Sequence, residues 1–157
     1  MAGRDLPDAA ATERLGAGLA SCLLPDPAGW TILLAGELGA GKSTLARAML
    51  RKFGHEGPVP SPTYTLVEPY EFADFSVYHV DLYRISGAEE LQYLAWSDLQ
   101  DGLLLIEWPE RVERLSEQAD IAVRLDYRGE GRSAELDGLS PRGAQLVAGL
   151  LARLDLN

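Results

Sequence analysis

Trp30-Thr31-Ile32-Leu33-Leu34-Ala35 runs without a break into Gly36-Glu37-Leu38-Gly39-Ala40-Gly41-Lys42-Ser43-Thr44, and this stretch decides how the chain is read. The first six residues form a continuous apolar run, the pattern of a strand buried on both faces. The next nine satisfy G-x-x-x-x-G-K-[ST] at Gly36, Gly41, Lys42 and Ser43. The glycines let the backbone turn tightly and aim its N–H groups at phosphate oxygens. A helix beginning at Ser43 adds the positive end of its dipole at the same point. Lys42, one of only two lysines in the chain, is a compact charge on a flexible stem that reaches β- and γ-phosphates. Ser43 offers a hydroxyl to the Mg²⁺ that accompanies a nucleotide. The reading assigns Glu37, Leu38, Gly39, Ala40, Gly41, Lys42, Ser43 and Thr44 to the nucleotide.

Outward from this loop, the helix is expected to end near Phe53 and Gly54, and Pro58, Pro60 and Pro62 make the following stretch a loop. Upstream, Asp8 caps a helix whose apolar positions Ala11, Leu15, Leu19, Cys22 and Leu23 share one face. Downstream, Tyr64–Tyr70 and Phe75–Val80 read as an antiparallel ribbon. Ser86 with Glu89 reads as a capping box for a helix that includes Leu91 and Leu94. After Gly102, Leu103–Ile106 is a second fully apolar strand, and Ile121–Tyr127 with Arg132–Leu136 form a hairpin around Gly129 and Gly131. A last helix starts with Ser140 as cap and Pro141 at its first position. Buried strands interleaved with helices imply an α/β three-layer domain of the P-loop NTPase type, with a mixed central sheet, filling residues 1–157 as one unit.

The chain carries 24 acidic against 14 basic residues, a net charge of −10. Gripping nucleic acid requires neutralising its phosphates with Lys and Arg, so contact with RNA is expected only through a partner. No apolar run is long enough to cross a bilayer, no charged-then-apolar leader is seen, and the single Cys22 cannot form an internal disulfide. Together these imply a cytoplasmic protein without membrane contact.

A phosphate-loop enzyme also needs a carboxylate at the end of a neighbouring buried strand, to fix Mg²⁺ or the attacking water. Leu103-Leu104-Leu105-Ile106-Glu107 has that form, and Asp81 at the end of Val77-Tyr78-His79-Val80 is a second candidate. The residues leave open which of the two positions the water. Thr63, in the Pro-flanked loop with Thr65, is placed as a switch that senses the γ-phosphate. His79 is expected to pack or hydrogen-bond beside Asp81, and Trp108 either covers a nucleotide or packs at the strand end. Two scattered histidines and one cysteine make no transition-metal site.

These motifs together resemble the bacterial TsaE family of YjeE-like ATPases. The resemblance rests on Gly36 to Thr44, on Ser61-Pro62-Thr63-Tyr64-Thr65-Leu66-Val67, on His79-Val80-Asp81-Leu82-Tyr83-Arg84 and on Ile106-Glu107-Trp108-Pro109-Glu110, four blocks spanning about half the chain. It implies an ATPase that supports synthesis of the threonylcarbamoyl modification on adenosine 37 of tRNAs reading ANN codons. It further implies that the protein works by joining a TsaB–TsaD pair. Carried across, Lys42 contacts the phosphates of ATP, Ser43 and Glu107 hold Mg²⁺, and Asp81 and Thr63 belong to the switch and hydrolysis machinery. The chain departs from the family at Ser43, where Thr is usual, and at Tyr93–Asp98, where a Gly-rich acidic stretch is usual. Two other readings stand beside this one: a small-metabolite kinase with Arg111 and Arg114 in a lid, and a non-hydrolysing module whose docking surface ATP orders. A small GTPase is disfavoured, because Asn-Lys-x-Asp is absent.

Overall fold

The computed structural model describes residues 2–63, 65–94 and 96–156. One sheet of seven strands runs through the molecule in the order β1-β7-β6-β2-β5-β4-β3. Its strands are β1 (Ala2–Leu6), β2 (Thr31–Ala35), β3 (Val67–Glu71), β4 (Ser76–Asp81), β5 (Leu103–Glu107), β6 (Ile121–Arg128) and β7 (Gly131–Gly138). β6, β2, β5 and β4 are parallel neighbours, while β7, β1 and β3 pair antiparallel at the two flanks. The sheet is therefore mixed, with the phosphate loop leaving the centre of its parallel part.

The alternation of side chains along each strand divides the core. Ile32 and Leu34 of β2, Leu103 and Leu105 of β5 and Val123 of β6 share one apolar cluster with Leu15, Leu19, Leu45, Met49 and Leu150. Those last five come from α1 (Ala9–Leu23), α2 (Lys42–Phe53) and α4 (Pro141–Leu156), which cover this face. Leu33, Leu104, Ile106 and Val80 point the other way, against Leu82, Ile85, Leu91, Val112 and Leu115. This second cover is made of 3₁₀ turns at Ala88–Leu94, Pro109–Arg111 and Glu113–Glu117, with one short helix, α3 (Trp96–Leu99). The three layers are thus unequal, with long helices on one side and tight turns on the other.

Three expectations need correction. The segment after Ser86 is a 3₁₀ turn, in which Glu90 N–H bonds the carbonyl of Gly87 at 3.2 Å. The acid that reaches back to Ser86 N–H is Glu90 at 2.7 Å, not Glu89. The ribbon is shorter than expected, β3 beginning at Val67, because Leu66 sits at φ 71 and breaks the extended run. Tyr64, placed at its start, and Ala95 lie outside the described residues, as do the side chains of Tyr93 and Leu94. β1 was not expected at all. Among its described side chains Leu6 alone is buried, so its sequence carries no apolar alternation, and it is held by backbone pairing to β7 with ion pairs from Arg4 to Asp155 and from Asp5 to Arg128.

The helix caps follow the sequence. Asp8 accepts from Ala11 N–H at 2.9 Å, and Ser140 Oγ accepts from Gly143 N–H at 3.0 Å. Cys22 is partly buried against the main core cluster, as its place in the apolar stripe implies.

Candidate functional site

The site is built where β2, β5 and β4 end side by side. Parallel register sets Asp81 directly beside Glu107, and Glu107 beside Leu34 two residues before the loop begins. A carboxylate ends each of two adjacent strands, and the loop caps the third.

The loop's own shape explains its glycines. Gly36 lies at φ 148, and a Cβ there would stand 2.5 Å from the Leu125 carbonyl oxygen of β6, so any larger residue would push the loop off the sheet. Gly41 lies at φ 112 immediately before α2 and offers no side chain to cap it. The first N–H groups of α2 are therefore left for a ligand, at the positive end of the helix. The β6–β7 hairpin braces the loop from outside. Tyr127 Oη donates to the Leu38 carbonyl at 2.5 Å, and Arg132 donates twice to the Gly39 carbonyl, at 3.0 and 3.2 Å. The Arg132 guanidinium also lies 4.2 Å from the centre of the Tyr127 ring.

Lys42 is 4% exposed. Its ammonium donates to the Gly36 carbonyl and lies 3.8 Å from the centre of the Trp108 ring. Burial lowers its pKa from the ordinary value of 10.5, against the opposing pull of Glu107, Glu110 and Asp81. Trp108 itself is in the left-handed region at φ 60 and packs on Tyr83 with ring centres 5.0 Å apart. Arg111 lies over the other ring of this pair, 5.3 Å from Tyr83.

Asp81 is held at both oxygens. Oδ2 accepts from Thr63 Oγ1 at 3.1 Å and Oδ1 from Tyr83 N–H at 2.8 Å. Thr63 Oγ1 in turn lies 2.7 Å from Ser61 Oγ, so the Pro-flanked loop is tied to β4 through one carboxylate. Glu107 is bonded differently: its Oε2 lies 2.5 Å from His79 Nε2, and both residues are almost fully buried. His79 was expected beside Asp81. Alternation puts the two on one face of β4, and the His79 ring makes its hydrogen bond diagonally across to Glu107 of β5.

A cavity of about 320 Å³ gathers Lys42, Ser43, Thr63, Asp81, Glu107 and Trp108, with Leu38, Gly39, Gly41 and Thr44 at its loop side. Two of the residues assigned to the nucleotide stand apart from it. Glu37 is exposed, and Ala40 is fully buried beneath the loop. A smaller cavity of about 160 Å³ lies on the other side of the loop, sharing Gly39, Gly41 and Thr44 and lined also by Asp8, Thr12 and Arg132. Thr12 is 3% exposed and its side chain makes no hydrogen bond among the described residues.

Sequence reading missed Tyr127, Arg132, Thr12 and the Glu107 contact of His79, because each meets the site across the fold and carries no local motif. It also missed Asp120 at the opposite end of the sheet. There Thr31 N–H, Ser140 Oγ and Arg142 all donate to the Asp120 carboxylate at 2.7–3.0 Å. Burial alone would raise the Asp120 pKa, but Arg142, Thr31 and Ser140 together hold it below the ordinary 3.8.

Among the described residues no group of three or more His, Cys, Asp or Glu forms a metal cage. The larger cavity offers oxygen donors, among them the Ser43 hydroxyl and the Asp81 and Glu107 carboxylates. That set suits a hard ion such as Mg²⁺, which keeps waters and shares phosphate oxygens. No described helix is long and apolar enough to cross a membrane.

Comparison with known proteins bears on the whole chain. A family model described as threonylcarbamoyl adenosine biosynthesis protein TsaE matches residues 6–134. A Haemophilus influenzae protein named tRNA threonylcarbamoyladenosine biosynthesis protein TsaE is 44% identical over 119 residues, 74% of this chain and 75% of that protein. A Nostoc protein of the same name is 36% identical over 149 residues, covering 91% of this chain and 90% of its own length. The crystal structure of YdiB from Bacillus is 22% identical and shares the fold with a TM-score of 0.76, over 98% of this chain and 95% of that one.

Proposed function

Because the chain belongs to the TsaE family, we propose that it binds ATP with Mg²⁺ and hydrolyses it in support of threonylcarbamoyl modification of adenosine 37 in tRNAs reading ANN codons, as a partner of a TsaB–TsaD pair. The relatives' names carry the pathway. The chemistry rests on one observation: Lys42, Ser43, Asp81 and Glu107 line a single cavity at the start of α2.

In this reading the freed N–H groups of the loop and the Lys42 ammonium receive the β- and γ-phosphates. Lys42 leaves the Gly36 carbonyl to do so, which exchanges a neutral acceptor for an anionic one. Ser43 and Glu107 would hold the Mg²⁺, whose chemistry there would be to neutralise phosphate charge. Asp81 orients the attacking water, and Thr63, bonded to Asp81, reports the terminal phosphate to the loop around Ser61. Adenosine extends into the smaller cavity past Thr44. Contact with tRNA is left to the partner proteins, and the site of action is the cytoplasm.

Purified chain mixed with its cognate TsaB–TsaD pair and Mg²⁺·ATP is expected to release phosphate faster than the chain alone. Absence of both ATP binding and stimulation contradicts the proposal. ATP consumption matched by a phosphorylated small molecule would favour the kinase reading. Against that reading, Arg111 is already engaged over Tyr83 at the cavity edge.

A further inference from the structure

His79 is a polar ring set into the interior of the sheet, 1% exposed, on the strand face that also carries Val77 and Asp81. An apolar side chain would pack there at less cost, since a buried polar group must find partners. Only one of its nitrogens has found one. Nε2 lies 2.5 Å from Glu107 Oε2, and Nδ1 is buried with no hydrogen-bond partner among the described residues. The partners fix the tautomer. A proton on Nδ1 would be buried without an acceptor, and Nε2 would then set a lone pair against a carboxylate oxygen. The proton therefore sits on Nε2, which donates to Glu107.

We propose that His79 is a positioning residue that clamps Oε2 of Glu107 so that Oε1 alone is turned to the cation in the phosphate cavity; the proposal rests on the Mg²⁺·ATP reading of that cavity. Oε1 takes no hydrogen bond among the described residues, and Glu107 lines the cavity. Lys42 lines the same cavity. Held by His79, Glu107 stays on its strand end. Released, its carboxylate is free to turn, and neither oxygen is fixed toward the cation. The clamp thus fixes which carboxylate oxygen meets the cation. The ring reaches Glu107 because His79 pairs with Leu105 in register, two residues before Glu107 on the adjacent parallel strand.

The test measures ATP affinity by calorimetry with Mg²⁺ and with a chelator, for the wild type, His79→Leu, His79→Asn and His79→Gln, with thermal melts alongside. The leucine removes the donor, and the asparagine keeps polarity but is too short to reach Glu107. The glutamine amide places an N–H close to where Nε2 stands. Outer-shell substitutions at metal sites cost about tenfold to a hundredfold in metal affinity. His79→Leu and His79→Asn are expected to raise the half-saturating Mg²⁺ concentration by about tenfold, within that range. The glutamine is expected to restore most of it. If leucine fails to fold, the asparagine–glutamine pair carries the comparison. Unchanged Mg²⁺ dependence in the leucine and asparagine variants overturns the proposal. So does a loss equal in Mg²⁺ and chelator, which is what mere loosening of the sheet would give. A wild-type chain that binds no ATP under either condition overturns the Mg²⁺·ATP reading itself, a result distinct from both.

Discussion

Glu107 and Asp81 end adjacent strands in register, yet their surroundings assign them different work. Asp81 is bonded at both oxygens to groups that lead away from the strand, the Thr63 hydroxyl and the Tyr83 N–H. Among the described residues Glu107 is bonded at one oxygen only, to His79. A carboxylate with a free oxygen is the better cation ligand, and one tied to a loop hydroxyl is the better relay to that loop. Replacing Glu107 with Ala is therefore expected to leave ATP binding without Mg²⁺ within about threefold of wild type, while phosphate release falls by about a hundredfold or more, the size of losing one electrostatic contact made in the transition state. Phosphate release in the presence of TsaB–TsaD, set beside calorimetry, measures the two separately. Normal turnover in the Ala variant would remove Glu107 from the chemistry.

Between elements, the phosphate end of the sheet and the opposite end are held by different means. At the phosphate end the β6–β7 hairpin reaches over the loop through Tyr127 and Arg132. At the other end Asp120 joins β2, β6 and α4. Asp120 is 5% exposed and its folded-state pKa lies below 3.8, so its contribution to stability is complete above that value and is lost as pH falls through the lower folded one. Asp120→Asn is expected to cost about 1.5–3 kcal/mol at neutral pH, the range for hydrogen bonds to a charged group. Arg142 contributes at the low end of that range, because its side chain is 49% exposed and screened. Urea midpoints taken down the pH scale should show a constant gap between wild type and variant above about pH 4.5 that closes below the ordinary carboxylate range. A gap that persists in acid would mean the carboxylate charge is not what joins the elements.

Taken whole, the chain shows which parts of a fold a sequence discloses. The loop from Gly36 to Thr44, the β2 and β5 runs and both long-helix caps were legible, because each is specified by neighbouring residues. The second cover of 3₁₀ turns was not, since Leu91 and Ile85 bury themselves without a helical period. Nor was β1, whose backbone pairing and whose Arg4 and Asp5 ion pairs all go to residues more than 120 positions on. At the site, Lys42, Ser43, Thr63, Asp81 and Glu107 were legible as strand ends and motif positions, and the fold gathers them. The His79 clamp and the Tyr127–Arg132 brace depend on register and on a distant hairpin, which no local pattern encodes. The account comes down to whether this cavity is an ATP site worked by Lys42. Calorimetric titration of Mg²⁺·ATP into the wild type and Lys42→Ala tests it most directly. The account predicts saturable binding by the wild type at one ATP per chain and a loss of about tenfold to a hundredfold in the variant, the 1.5–3 kcal/mol of a charged contact. Equal affinity in the two, or no binding by the wild type, would contradict it.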